Sequence, residues 1–243
     1  MGDEDQAVEQ RPTRWGVGHE AARDTTRIEA FSDAVIAIML TLLSVELLQF
    51  NVEDARKVGL LPALAAKWPS YFAFALTFMV IGQIWVTHHN LWRYIARVDQ
   101  GIAILNLILL AFVAATPFAA QVLAESLAEL SAAEQSRAAA LYSGVMLGQA
   151  LAFNLVLRWS HWQRLCYPEV DDALHRAILR RYLIGPVVYA VALLMSFVSP
   201  VAGLACYFGV ILAYLWPGPG DLPRGKDQAD TAPDSAKPLS TGS

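Results

Sequence analysis

Arg27-Ile-Glu-Ala-Phe31-Ser32-Asp33 runs without a break into Ala34-Val-Ile-Ala-Ile38-Met-Leu-Thr41-Leu-Leu-Ser-Val45. A cation, an aromatic ring, a hydroxyl and a carboxylate stand at fixed offsets at the head of a long apolar run. Inside a bilayer a carboxylate is expensive unless it is paired or hydrated, so Asp33 marks a functional-site candidate.

The rest of the chain supports a membrane reading. Its 243 residues are 56% hydrophobic and 16% charged, against roughly 25% charged in an ordinary soluble domain. Mean hydropathy is +0.39. Apolar segments cover residues 27–50, 70–93, 101–124, 137–160, 178–199 and 201–216, and about 20 helical residues cross a bilayer. The fold class is therefore an all-α integral membrane protein with six transmembrane helices. Ser199-Pro200 between the last two segments reads as a tight turn; if the pair is one broken helix, the spans number five.

Residues 1–25 read as a cytoplasmic N-terminal tail, 26–216 as one six-span unit and 217–243 as a disordered cytoplasmic C-terminal tail. The tail from Pro217 onward has too little apolar surface to offset its ordering entropy. The first 25 residues are polar and mixed in charge, without the apolar core of a cleavable signal, so the first span itself is expected to direct insertion. The loop 51–67, with Leu60-Leu-Pro-Ala-Leu, reads as an interfacial segment or the start of an extra short helix. Cys166 and Cys206 are too few for a disulfide framework, and a bond between them is not expected.

Lys and Arg placement gives the orientation. With both termini inside, 14 of the 18 fall on cytoplasmic segments; only Arg56, Lys57, Lys67 and Arg137 fall on outer loops. The outer loops hold Glu53, Asp54, Glu125, Glu129 and Glu134, which favour cations there by a modest, salt-screened amount.

A helix advances about 100° per residue. Phe31, Val35, Ile38, Leu42, Val45 and Gln49 thus share a stripe, while Asp33 and Ser32 lie roughly 140° and 120° from Ile38. If the stripe faces a central axis, Asp33 and Ser32 point into neighbouring helices. A lipid-facing or packing surface would give the same stripe.

Depth brings a second group into reach. Asp33 lies about 9 Å inside Arg27, and His88 and His89 about 6–7.5 Å inside Arg93. If both arginines mark the inner interface, the three sit level, where a carboxylate and an imidazole favour each other's charged forms. A polar knot between helices is the alternative. Metal ligation is not expected, because adjacent histidines diverge by about 100° on a helix. A bis-histidine haem site would need partners in the bundle, yet His161 and His175 fall in the inner loop. Asn106 and Gln149 read as interhelical hydrogen-bond residues. No nucleophile with an acid and base partner, no phosphate loop and no zinc spacing stands out, so an enzyme is not expected. The Thr-Val-Gly-Tyr-Gly filter is absent, so selectivity in a channel would come from side chains.

Arg27-x-x-x-Phe31-Ser32-Asp33 with the following helix, and Trp85-Val-Thr-His88-His89-Asn90 in the second span, resemble the transmembrane protein 175 family of potassium-permeable channels. The resemblance covers residues 25–216. It implies a bacterial-type subunit in the plasma membrane, four copies of which surround a pore lined by their first helices. It implies a hydrophobic constriction at Ile38, five residues after Asp33, with Leu42 and Val45 as the next layers out. Thr41 falls at the position linked to potassium preference. Arg27, Phe31, Ser32 and Asp33, with Trp85, His88 and His89, would form the polar network that holds the pore helix. Ala37 stands where some members carry Ser, so that layer lacks a hydroxyl here. The expected activity is passive, leak-type potassium conduction, with no cofactor and no nucleic-acid partner. A proton-linked transporter using Asp33 and His88 as a relay is the competing reading; against it, the chain shows no inverted repeat or mid-membrane Gly/Pro-broken helix pair.

Overall fold

The computed structural model describes residues 14–47 and 52–215. Over these the chain is helical: α1 (Arg14–Leu47), α2 (Val52–Val58), α3 (Leu60–Ala66), α4 (Trp68–Trp92), α5 (Gln100–Glu129), α6 (Ala132–Trp162), α7 (Asp172–Tyr182), α8 (Ile184–Ser196) and α9 (Pro200–Leu215). Five stretches are long and apolar enough to cross a membrane: part of α1 (Asp24–Val45), α4, α5, α6 and the α7–α8 pair; α9 is a shorter apolar helix.

Local chemistry sets the boundaries. Asp99 and Asp171 cap α5 and α7 by accepting from the Ile102 and Leu174 amides, each at 2.7 Å, which satisfies donors that a helix start leaves open. Pro69 sits in the first turn of α4, where its missing N–H costs nothing. Gly59, at φ 91, supplies the left-handed residue between α2 and α3.

Three boundaries differ from the sequence reading. The helix of the first span starts at Arg14, so part of the segment read as a tail is helical. The loop 51–67 contains two short helices. The fifth span starts at Asp172 and breaks at Leu183. Gln49 and residues 217–243 lie outside the described residues. Cys166 and Cys206 are free thiols.

Helices α5 and α6 form the central pair, with α8 and α9 packed along α6 and α4 along α5. Their approach is close at two glycines: a Cβ at Gly101 would overlap the Trp159 indole, and one at Gly148 the Phe112 ring. Gly148→Ala is expected to cost about 1 kcal/mol through overpacking, seen as a fall in the detergent melting temperature of about 2–4 °C.

Helix α1 packs mainly on α4 and α5 and lies at the edge of the subunit. Only 17% of its apolar stretch is buried, against 50% for α6. Its buried side is Ser32, Ile36 and Leu43, which enter the core between α4 and α5.

Candidate ion pathway and the network behind it

The two faces of α1 differ sharply in chemistry. Phe31, Ile38, Leu42 and Val45 are 45–54% exposed, Ile38 the most at 54%. Their common exposure on one subunit follows from the stripe that the helical period defines. Val35 turns partly toward the core. Thr41 lies beside the stripe and is exposed; its Oγ1 donates to the Ile38 carbonyl at 2.7 Å. With its proton turned inward, the oxygen keeps its lone pairs free to accept. Ser44 repeats the arrangement on the Thr41 carbonyl at 2.6 Å.

The opposite face carries a network in two tiers. In the buried tier, Ser32 Oγ donates to the Ile28 carbonyl at 2.8 Å and receives Asn106 Nδ2 at 2.9 Å. Asn106 Oδ1 lies 3.0 Å from His88 Nε2. One amide on α5 thereby joins α1 to α4. Ser32 and His88 are fully buried and Asn106 nearly so. Trp92 Nε1 also approaches His88 Nε2, at 3.2 Å. A single ring nitrogen cannot both donate to Asn106 and accept from Trp92, so the tautomer decides which bond forms.

The outer tier is half-exposed. Trp85 Nε1 donates to Asp33 Oδ1 at 3.0 Å, and His89 Nδ1 lies 2.9 Å from Glu29 Oε1. The Trp85 and His89 rings stack with centroids 6.4 Å apart. Asp33 pairs with Trp85, one helical turn from His89, which meets Glu29 instead, and His88 pairs with Asn106. The Asp33–His88 relay considered from depth alone is not the pairing formed. His88 and His89 diverge, one inward to α5 and the other outward to α1. Arg27 is exposed and forms no hydrogen bond or ion pair with these groups among the described residues.

Glu29 is the member that sequence reasoning missed. The available signal was its place one helical turn before Asp33, on the same side of α1. Asp99 was missed too: beyond capping α5 it accepts from Trp159 Nε1 on α6, at 3.0 Å to Oδ2. At the same end, His161 and His175 stack face to face at 3.8 Å, an arrangement that cannot place a haem iron between the rings.

An edge helix with an apolar outer ridge, tied by polar groups to a multi-span bundle, is the arrangement of a membrane protein whose first helix is free to face lipid or another subunit. A family profile described as endosomal/lysosomal potassium channel TMEM175 matches residues 27–117. A relative named potassium channel B446_29190, from Streptomyces collinus, is 42% identical over 79% of this chain and 91% of its own length. The endosomal/lysosomal proton channel TMEM175 of Gallus gallus is 40% identical over 41% of this chain and 21% of its own. Among solved structures, the lysosomal potassium-selective channel TMEM175 homolog from Chamaesiphon minutus aligns with a TM-score of 0.71. It is 34% identical, over 79% of this chain and 97% of that one. The chain belongs to the TMEM175 family of membrane channels.

Proposed function

We propose that this chain conducts potassium passively, as one subunit of a homotetramer in a bacterial plasma membrane with both termini in the cytoplasm. The carrying observation is the exposed Ile38, Leu42 and Val45 ridge on a helix whose other side is fixed to the bundle. Four ridges facing one axis form a hydrophobic constriction that dewets when narrow and admits a partly dehydrated ion when dilated. Thr41, with its lone pairs turned away from its own backbone, supplies an acceptor beside the narrowest layer. The names of the Streptomyces relative and of the Chamaesiphon structure support potassium as the permeant ion, while that of the Gallus gallus relative names a proton channel.

The test is the reversal potential of purified protein in planar bilayers under opposed potassium and sodium gradients. A reversal displaced toward the potassium equilibrium potential supports the reading. Saturable, proton-coupled uptake without ohmic current would support a transporter in its place.

The network is proposed to serve assembly. Asp33→Ala removes the acceptor of the Trp85 indole, a half-exposed bond worth about 1 kcal/mol. The expected outcome is a lower tetramer yield on size exclusion, with an unchanged reversal potential in the tetramer that does form. A full yield with altered ion preference would reassign Asp33 to the ion path.

A further inference from the structure

A half-open groove of about 310 Å³ runs between α4, α7 and α9, with no α1 residue in its lining. Phe78, Met79, Gly82 and Val86 of α4 and Ile211 of α9 form its apolar length. Gly82 lies in mid-helix, where glycine is a poor helix former. A Cβ there would meet no atom within 4 Å, whereas one at Gly101 or Gly148 would overlap a ring. Packing inside the subunit therefore does not require the small residue. Its effect is to lower the floor of the groove to the backbone, which lets a ligand approach closely.

One end of the groove is polar and cationic. It follows α4 from Phe78 to Asn90, about 18 Å at 1.5 Å per residue. That length is close to one leaflet of a hydrocarbon core roughly 30 Å thick. The chain enters α7 at the end of the bundle where α4 stops, since Ile95 pairs with Cys166 and His161 with Asp172. It reaches Arg181 before Gly185 and Tyr189, which border the adjoining cleft with Gln83 and Ile84. Arg181 therefore lies toward Asn90, at the interfacial end. Charge there has one sign: no carboxylate lines the groove. Helix α7 carries Arg176, Arg180 and Arg181 against the single acid Asp172, which lies 3.2 Å from His161.

We propose that this groove binds an anionic phospholipid, one acyl chain lying over Gly82 and the phosphate held by Arg181. The apolar length takes the chain out of contact with the bulk bilayer, and the guanidinium matches a phosphate in geometry as well as charge. Basic pockets between membrane helices hold anionic headgroups by the same physics. The leaflet is the inner one under the orientation proposed above; the site itself is independent of that orientation and of conduction.

Native mass spectrometry of the intact protein, in detergent with equimolar phosphatidylglycerol and phosphatidylcholine of the same chains, tests the site without reference to ion flux. Phosphatidylglycerol adducts are expected to exceed phosphatidylcholine adducts by about fivefold or more. Equal adducts of the two lipids would overturn the proposal. Gly82→Leu fills the floor of the groove from a position with open space above it, so the melting temperature should hold or rise. The variant is expected to lose phosphatidylglycerol adducts by about fivefold or more; adducts at the parental level would contradict the site. Arg181→Gln should abolish the preference between the two lipids, and a preference that survives would remove the phosphate from Arg181. If Gly82→Leu instead splits the assembly into smaller species, a second copy of the chain covers the groove and the lipid assignment falls.

Discussion

Ile38→Asn in every subunit is expected to raise potassium flux into liposomes by about tenfold or more at a fixed protein-to-lipid ratio. The barrier at an aliphatic ring is the loss of hydration as an ion enters a space that water leaves. In the proposed tetramer, four amides would supply donors and acceptors at that level and keep it wet. A tenfold change needs only about 1.4 kcal/mol off the barrier, less than the difference between an apolar and a polar lining of one narrow layer. Because Ile38 is 54% exposed and makes little of the subunit core, the substitution should leave the melting temperature within about 1 °C of the parent. Increased flux with an intact fold separates a gate residue from a packing residue.

Asn106→Leu is the largest expected stability effect. Its amide is the single link between Ser32 on α1 and His88 on α4. Leucine fills similar space yet leaves the buried imidazole with only the Trp92 indole, 3.2 Å from its Nε2, and an Nδ1 that already lacks a protein partner. Loss of two buried hydrogen bonds around an under-satisfied imidazole is expected to total about 2 kcal/mol. Membrane hydrogen bonds average below 1 kcal/mol each, so the two bonds supply about half of it and the unpartnered Nδ1 and apolar surroundings the rest. The measurement is reversible unfolding in mixed micelles. A cost near zero would mean that Ile36 and Leu43 packing alone seats α1. Ser32→Ala removes only one link and should cost clearly less.

These two residues also show where the sequence was informative. The period of the first span separated Ile38 from Ser32 and Asp33, because helical phase within one segment is fixed by geometry. Counting inward from Arg27 and Arg93 brought α1 and α4 polar groups to one region, where Asp33 meets Trp85 and Glu29 meets His89. Partner choice across helices was not available from either rule. Rotation of α4 about its axis decides whether His88 or His89 meets α1, and no pattern within α4 reports it. His89 takes that place and meets Glu29, while His88 turns to Asn106. Asn106 was legible as an interhelical donor, yet its two partners were not. The N-terminal extension of α1 to Arg14 escaped because polarity, not helix propensity, had defined the tail. The break at Leu183 was hidden inside an apolar run: Pro186 on α8 cannot donate to the Tyr182 carbonyl, and Asn154 on α6 donates to it instead at 3.0 Å.

The claim that organises the account is that the Ile38 face of α1 borders the ion path. Placing a thiol there tests it most directly: Ile38→Cys in a Cys166→Ser, Cys206→Ser background, recorded in planar bilayers with Ag⁺ added. The account predicts rapid, irreversible block of the potassium current, with the cysteine-free parent unaffected. Current that persists unchanged through the same exposure would place the ridge in lipid or in a packing contact, and the pathway elsewhere.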